Sequence, residues 1–319
     1  MKKIFSIALV LVMVFTFAAF ADPMPGGTRL IFTTGGAAGT YYGFGGVLAG
    51  KVGEKTSTKI TAITSGGSKA NIEAMQDGDA QLGFVQTDVG AYAYKGTRLF
   101  DEKVTDFSTV ANLYMEQVQI VTLDPTIRTV DDLKGKNVSV GAAGSGVYFN
   151  AVDVLESYGL DIDKDIKPTY QSFNDSVEAL QDGKIDAAFI VAGAPTTAVT
   201  SLAATRKVYL VGFDEEHILK LIATSPYYSM YTIKENVYGT DEDVTTVAVG
   251  AVVIARDDVS EADVYNFLYG IFENKDEITA AHAKGAELDL NFAASYTAVP
   301  YHKGAIKYFA EKGIKVSGK

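Results

Sequence analysis

Short apolar, β-branched runs alternate along this chain with segments of helical spacing, and glycine-rich turns stand between them. Leu30 to Thr34 predicts a strand that runs into Gly35-Gly36-Ala37-Ala38-Gly39-Thr40. A helix is expected from about Tyr41 to Lys55. Its five glycines each cost about 1 kcal/mol against alanine, which points to close packing on that face. Lys59 to Thr64 reads as a second strand, followed by Ser65-Gly66-Gly67-Ser68 and a helix through Asn71 to Asp77. Gly78 stands where a left-handed cap belongs. Gln81 to Gln86 is a buried strand. The order βαβαβ is the plan of a parallel sheet with crossover helices.

The pattern then repeats. Thr129 to Leu133 fits a capping box with Asp132 in the acidic position. Strand Asn137 to Ala142, a turn at Gly144-Ser145-Gly146 and a helix from about Val147 to Tyr158 follow. Helix Asp175 to Gln181 and strand Ile185 to Val191 complete the second set, ending at Ala192-Gly193-Ala194-Pro195. Gly36-Ala37-Ala38-Gly39-Thr40 reappears as Gly141-Ala142-Ala143-Gly144-Ser145, and Glu73 to Gly78 reappears as Glu178 to Gly183. Both pairs are displaced by 105 positions. Two unrelated coincidences would not share a register, so two lobes of one plan are expected.

Gln117 to Leu123 and Val247 to Ala255 are the candidate crossing strands, and helices are expected over Ser260 to Ala281 and Tyr301 to Lys312. The lobes are then residues 28–116 plus 248–319, and residues 117–247. Two crossings allow hinge closure over a ligand.

The first 21 residues stand apart. Lys2-Lys3, an apolar run from Ile4 to Phe20 and Ala19-Phe20-Ala21 have the form of an export signal cleaved after Ala21. Seventeen apolar residues are short for a membrane span. A soluble periplasmic protein is expected. The chain has no cysteine, which excludes disulfides, thiolate chemistry and iron–sulfur clusters. Loss of Lys2 and Lys3 takes the net charge from −11 to −13. Such a surface argues against nucleic acid as a partner, and any anion site must rest on local dipoles.

Ligands of open parallel sheets bind beyond the C-terminal ends of the strands. Four turns occupy that place: Gly35 to Thr40, Ser65 to Ser68, Gly141 to Ser145, and Ala192 to Pro195. Unpaired N–H groups at a helix start attract carboxylate or phosphate, and Thr40, Ser68 and Ser145 add hydroxyls. The competing explanation is that the glycines serve packing and the hydroxyls only cap. Asn71 reaches either the ligand or its own helix cap. Asp88 either binds an amino group or orients nearby N–H groups, and Gln86 ends the same strand. Tyr41 and Tyr42 are placed to close on a ligand, with a core role open for Tyr42. Tyr227, Tyr228 and Tyr231 form a patch without an assigned role.

Enzyme and cofactor signatures are thin. His217, His282 and His302 share no metal-ligand spacing, and the chain has no Walker loop, Gly-x-Ser-x-Gly elbow or Gly-x-Gly-x-x-Gly. Asp161, Asp163 and Asp165 lack the glycine and glutamate of a calcium loop and read as a solvated turn. No cofactor is expected.

Four motifs resemble the TAXI family of solute receptors, the extracytoplasmic subunits of TRAP transporters. They are Thr34 to Tyr42, Gly67-Ser68-x-x-Asn71, Gly83 to Asp88, and Val299 to Ala305 ahead of Tyr308 to Gly313. The resemblance implies an α/β, two-lobed periplasmic-binding-protein fold of type II, with parallel-sheet lobes joined by two crossing strands. It implies capture of glutamate, glutamine or a related dicarboxylate for a TRAP permease driven by an ion gradient. The implied contacts are Gly39, Thr40, Tyr41, Ser68, Asn71, Gln86 and Asp88 from the first lobe. From the second they are Ser145, Gly146, Gly193, Ala194 and Pro195. Tyr301 and Lys303 depart from the leucine and proline expected there. A receptor for an ABC transporter or a sensor kinase would use the same fold, and an exported enzyme acting on phosphate or carboxylate substrates is the reading from another class.

Overall fold

The sheet of this protein is continuous across both lobes, and its two longest strands form the junction. A computed structural model describes residues 22–98 and 100–319; the expected export segment and its cleavage point lie outside the described residues. The first βαβαβ unit is β1 (Arg29–Thr33), α1 (Thr40–Lys55), β2 (Lys59–Ile63), α2 (Ser68–Gln76) and β3 (Leu82–Gln86). Helix α3 (Thr87–Lys95) follows without a loop, and β4 (Phe107–Thr122) leads into the second lobe. That lobe holds β5 (Asn137–Ser139), α4 (Gly146–Ser157), β6 (Lys167–Thr169), α5 (Phe173–Gln181) and β7 (Ala187–Ala192). It continues through α6 (Thr197–Ala203), β8 (Tyr209–Leu210), α7 (Glu215–Thr224) and β9 (Ser229–Ile233). Strand β10 (Val244–Arg256) returns, and α8 (Glu261–Phe272), α9 (Lys275–Ala281), α10 (Leu290–Ala293) and α11 (Lys303–Glu311) close the chain.

Strand order is β2-β1-β3-β10-β4-β7-β5-β6. The crossing strands β4 and β10 pair antiparallel from Phe107↔Arg256 to Gln117↔Ala248, with two register shifts near Ala251 and Val253. One core gathers Phe32, Phe44, Phe84, Phe267 and Phe309 around the β1–β3 side. Another gathers Val118, Val138, Leu155, Phe189 and Val249 around the β5–β7 side. Gly78 and Gly183 both take positive φ, +86° and +67°, just past α2 and α5, as the repeat predicts.

Several expectations change. The crossing segment is longer than Gln117 to Leu123, because β4 begins at Phe107 while still paired with β10. The long helix from Ser260 breaks into α8 and α9 at Asn274, whose φ of −126° is not helical. Ser260 does cap α8, accepting from the Asp263 amide at 3.0 Å. Helix α3 was not anticipated, since Gln86-Thr87-Asp88 reads as a strand end. The glycines of α1 are only partly explained by packing. A methyl at Gly45 would lie 2.8 Å from Thr34 Cγ2, whereas Gly46 and Gly50 face open space. Tyr301 is a core residue: its hydroxyl donates to the Ala293 carbonyl at 3.0 Å and accepts from the Tyr296 amide at 3.1 Å.

Candidate functional site

Between the lobes lies a cavity of about 90 Å³. The first lobe lines it with Gly35, Gly36, Gly39, Thr40 and Tyr41, and with Ser65 to Ser68. Ala142, Ser145, Gly146 and Val147 come from the second lobe, along with Gln171 to Phe173, Val191 and Ala192. Gln86 and Glu116 complete the wall. The turns after β1 and β5 therefore share one enclosure, as parallel-sheet topology requires when two C-terminal strand edges face each other.

Three helices begin at this cavity without a side-chain cap, a feature shared by α3, α6 and α9. α1, α2 and α4 begin at the wall with Gly39, Gly67 and Ser145 as cap residues; none makes a side-chain cap bond, and none has an acidic residue in its first turn. α7, α8 and α10 begin elsewhere and are capped by Asp214, Ser260 and Asp289. Glycine caps such as Gly39 and Gly67 cost only about a few tenths of a kcal/mol. At α2 the Ala70 amide is taken by the Gly144 carbonyl, so it is the starts of α1 and α4 that keep N–H groups for another partner. α5 is the exception on this wall, capped by its own Ser172.

The side chains add acceptors and hydroxyls. Ser145 Oγ and Gln86 Oε1 are buried without a hydrogen-bond partner among the described residues. Ser68 Oγ accepts from the Gln86 amide at 3.1 Å. Tyr41 stacks on Phe84, ring centroids 4.6 Å apart, and donates its hydroxyl to Glu116 Oε2 at 2.6 Å. Burial is the main cause that pushes the Glu116 carboxyl up to about 8, opposed by Tyr41 and more weakly by Lys284.

The lobes touch around this cavity. Thr40 donates its hydroxyl to the Gly193 carbonyl at 3.0 Å, so that oxygen already has a partner. The Ala70 amide, in the first turn of α2, donates to the Gly144 carbonyl at 3.0 Å. Gly67, at φ +105°, brings its backbone against Ser145. A methyl placed at Gly146 would overlap Gln86 Oε1 and lie 2.8 Å from Ser68 Oγ.

Five of the anticipated contacts stand off the cavity wall. Asn71 is fully buried, and its amide donates to the Thr34 and Phe84 carbonyls at 2.7 Å each. Through that amide it ties the ends of β1 and β3 together, while its Oδ1 has no hydrogen-bond partner among the described residues. Asp88 is also fully buried, accepting from Asn150 Nδ2 at 2.9 Å across the lobes. Burial first, then the charge of Asp153, push its carboxyl up to about 8. Gly193, Ala194 and Pro195 lie just past Ala192, with the Ala194 amide donating to Gln117 Oε1 at 2.6 Å. Gly39, Thr40, Tyr41, Ser68, Gln86, Ser145 and Gly146 are brought together.

Behind the cavity α3 and α4 form a seam between lobes. Tyr92 donates to Asp153 Oδ2 at 2.9 Å and meets Ser225 Oγ at 2.7 Å, and Arg98 pairs with Asp153 and Glu156. Phe149 packs against Phe100, centroids 5.6 Å apart. The tyrosine patch divides here. Tyr228 is buried and bonds Asn150 and Asp153, Tyr227 accepts from Lys95, and Tyr231 stays exposed.

Sequence reasoning missed Gln171 to Phe173 and Glu116. The first set had a signal, because the displacement of 105 carries Gly66 to Ser68 onto it. Glu116 is the one charged residue of the strand FSTVANLYMEQVQIVT, and a lone carboxylate in a buried strand is itself a flag.

Solved structures match this architecture over most of their length. The alkanesulfonate-binding protein SsuA from Xanthomonas axonopodis pv. citri, bound to MOPS, is 16% identical, with 92% of each chain covered and a TM-score of 0.50. An ancestral arginine-binding protein bound to arginine is 17% identical, covering 79% of this chain and 96% of its own, with a TM-score of 0.50. The ligand-binding component of an ABC-type import system from Staphylococcus aureus, with zinc bound, is 9% identical, covering 89% and 92%, with a TM-score of 0.51. The fold is the two-lobed type II periplasmic-binding-protein fold. Residues 32–313 match the sequence model of the NMT1-like family, and the chain belongs to that family.

Proposed function

We propose that this protein is an extracytoplasmic solute receptor that encloses one small polar or anionic molecule between its lobes and delivers it to a membrane transport system. The observation that carries this reading is the convergence of helix starts from both lobes on one interlobe cavity, those of α1 and α4 with neither a side-chain cap nor an acidic first turn. An anionic group near such an end gains about 0.3–1 kcal/mol, and up to about 2 in partly buried geometry. No bond is made or broken in this reading. Hinge bending at β4 and β10 opens the cavity, and the permease recognises the shape of the closed lobes. Calorimetry against a panel of amino acids, carboxylates and sulfonates tests it: tight one-to-one binding without turnover is expected, and no binding of any member sinks it.

Two importer types have separate support. The import system of the Staphylococcus aureus relative is ABC-type by its own description, which favours delivery to an ABC importer. The TAXI-like motifs at Thr34 to Tyr42 and Gly83 to Asp88 favour a TRAP permease. Receptor-dependent uptake into membrane vesicles decides between them, since the first demands ATP and the second an ion gradient.

A further inference from the structure

We propose that Glu116 is the ammonium receptor of the interlobe cavity, and that the solute is a zwitterion bearing an ammonium group rather than a dicarboxylate. This deepens the receptor reading and rests on it. Among the described residues lining the cavity, Glu116 is the only side chain with a full charge available to it, and no lysine, arginine or histidine is present. A second carboxylate on the ligand would meet no cation on this wall. A carboxylate at the uncapped helix starts leaves the ammonium as the group that needs an acceptor, and Glu116 supplies one.

The groups around Glu116 support this assignment. Tyr41 from α1 bonds one carboxyl oxygen, and among the described residues the other accepts no hydrogen bond. Asp88 from α3 raises its proton affinity, and Tyr114 lies near it on β4. Lys284 is the nearby cation, but its ammonium pairs with Glu287 and lies 5.5 Å from the Tyr114 ring centroid. Gln86 Oε1 is a second buried acceptor on the wall. Glu116 also sits at the crossing, paired in register with Val249 of β10, so an ammonium bound there touches the hinge strand itself.

The chemistry balances simply. In the free protein below about pH 8 the buried carboxyl holds its proton. The incoming ammonium stabilises the carboxylate, and one proton leaves to the buffer. Affinity for an ammonium ligand should then rise about tenfold per pH unit from 6 toward 8 and flatten above.

The test is titration calorimetry with matched pairs: L-alanine against pyruvate, and L-glutamate and L-glutamine against their 2-oxo acids, in buffers of different ionisation enthalpy. The expected result is an amino acid that binds about 100-fold tighter than its own 2-oxo acid, with proton release at pH 7. Glu116→Gln, shown folded by an unchanged thermal transition, should lower that affinity about 100-fold and remove the pH slope. It should change 2-oxo acid binding less than about threefold, and Glu116→Asp should restore part of the loss. A 2-oxo acid or other solute without an ammonium that binds as well or better overturns the role of Glu116 and leaves the receptor reading intact. Binding of nothing in the pairs or the wider panel overturns the receptor reading itself.

Discussion

Gly36 to Thr40 and Gly141 to Ser145 carry the same small-residue pattern, yet α1 starts at Thr40 and α4 at Gly146, one position later in register. The one-residue shift changes which atoms are free. Thr40 becomes the first helical residue and gives its hydroxyl to Gly193 across the cleft. Ser145 becomes the cap residue and leaves its hydroxyl without a partner among the described residues. The second turn is also the more crowded, with Gly144 bonded to Ala70 and Gly146 against Gln86. The first turn is thus the more open wall, and the second is the clasp. Duplication supplies two matching turns, and both bond across the cleft, the first through the Thr40 hydroxyl and the second through the Gly144 carbonyl.

This comparison breaks first at Gly146. Gly146→Val puts side-chain atoms into Gln86 and Ser68, so the closed form is overpacked while each lobe keeps its own core. Ligand affinity should fall about 100-fold, with the thermal transition of the free protein little changed. Calorimetry and a melting curve check both halves.

Asp88, on the seam behind the clasp, sharpens it next. Its carboxyl keeps its proton in the folded protein up to about pH 8, where an unfolded one has already lost it. The stability this gives is full below about pH 4 and is lost as pH rises through about 8. The melting temperature should therefore decline from pH 5 to 9. Asp88→Asn should flatten that decline and raise the value at pH 9 by roughly 3 °C. An unaltered slope would show that the seam does not titrate.

Smaller effects separate the two hydroxyls. Ser145→Ala and Thr40→Val should each weaken binding by about 1 kcal/mol, or about fivefold. Only Thr40→Val should shift the free protein toward open lobes, which small-angle scattering would register. Equal scattering changes in both variants would erase the distinction. Smallest is Gly50→Ala on the open face of α1, expected to stabilise by about 0.5–1 kcal/mol with binding unchanged.

Much of the fold was legible because its signals are local. The caps at Gly78 and Gly183, the box at Thr129 and Asp132, and the strands at β1 to β3 follow from short-range pattern. The site was legible where it is made of turns. It was less legible where a side chain was assigned by its place in a motif, as for Asn71, which stands off the cavity wall and ties two strand ends. Glu116 was missed although it is the lone charge of its strand, because that local flag does not say which cavity the middle of β4 borders.

The βαβαβ order of the first lobe, the duplicated plan and the glycine-rich turns are determined by sequence, since periodicity and turn chemistry act over a few residues. Which helix starts face the same space, and which carboxyl is buried there without a cation, was decided by tertiary structure. Those facts depend on pairing β4 with β10, strands whose paired residues lie more than 130 positions apart in the chain, and on the contacts that bring the second turn onto α2.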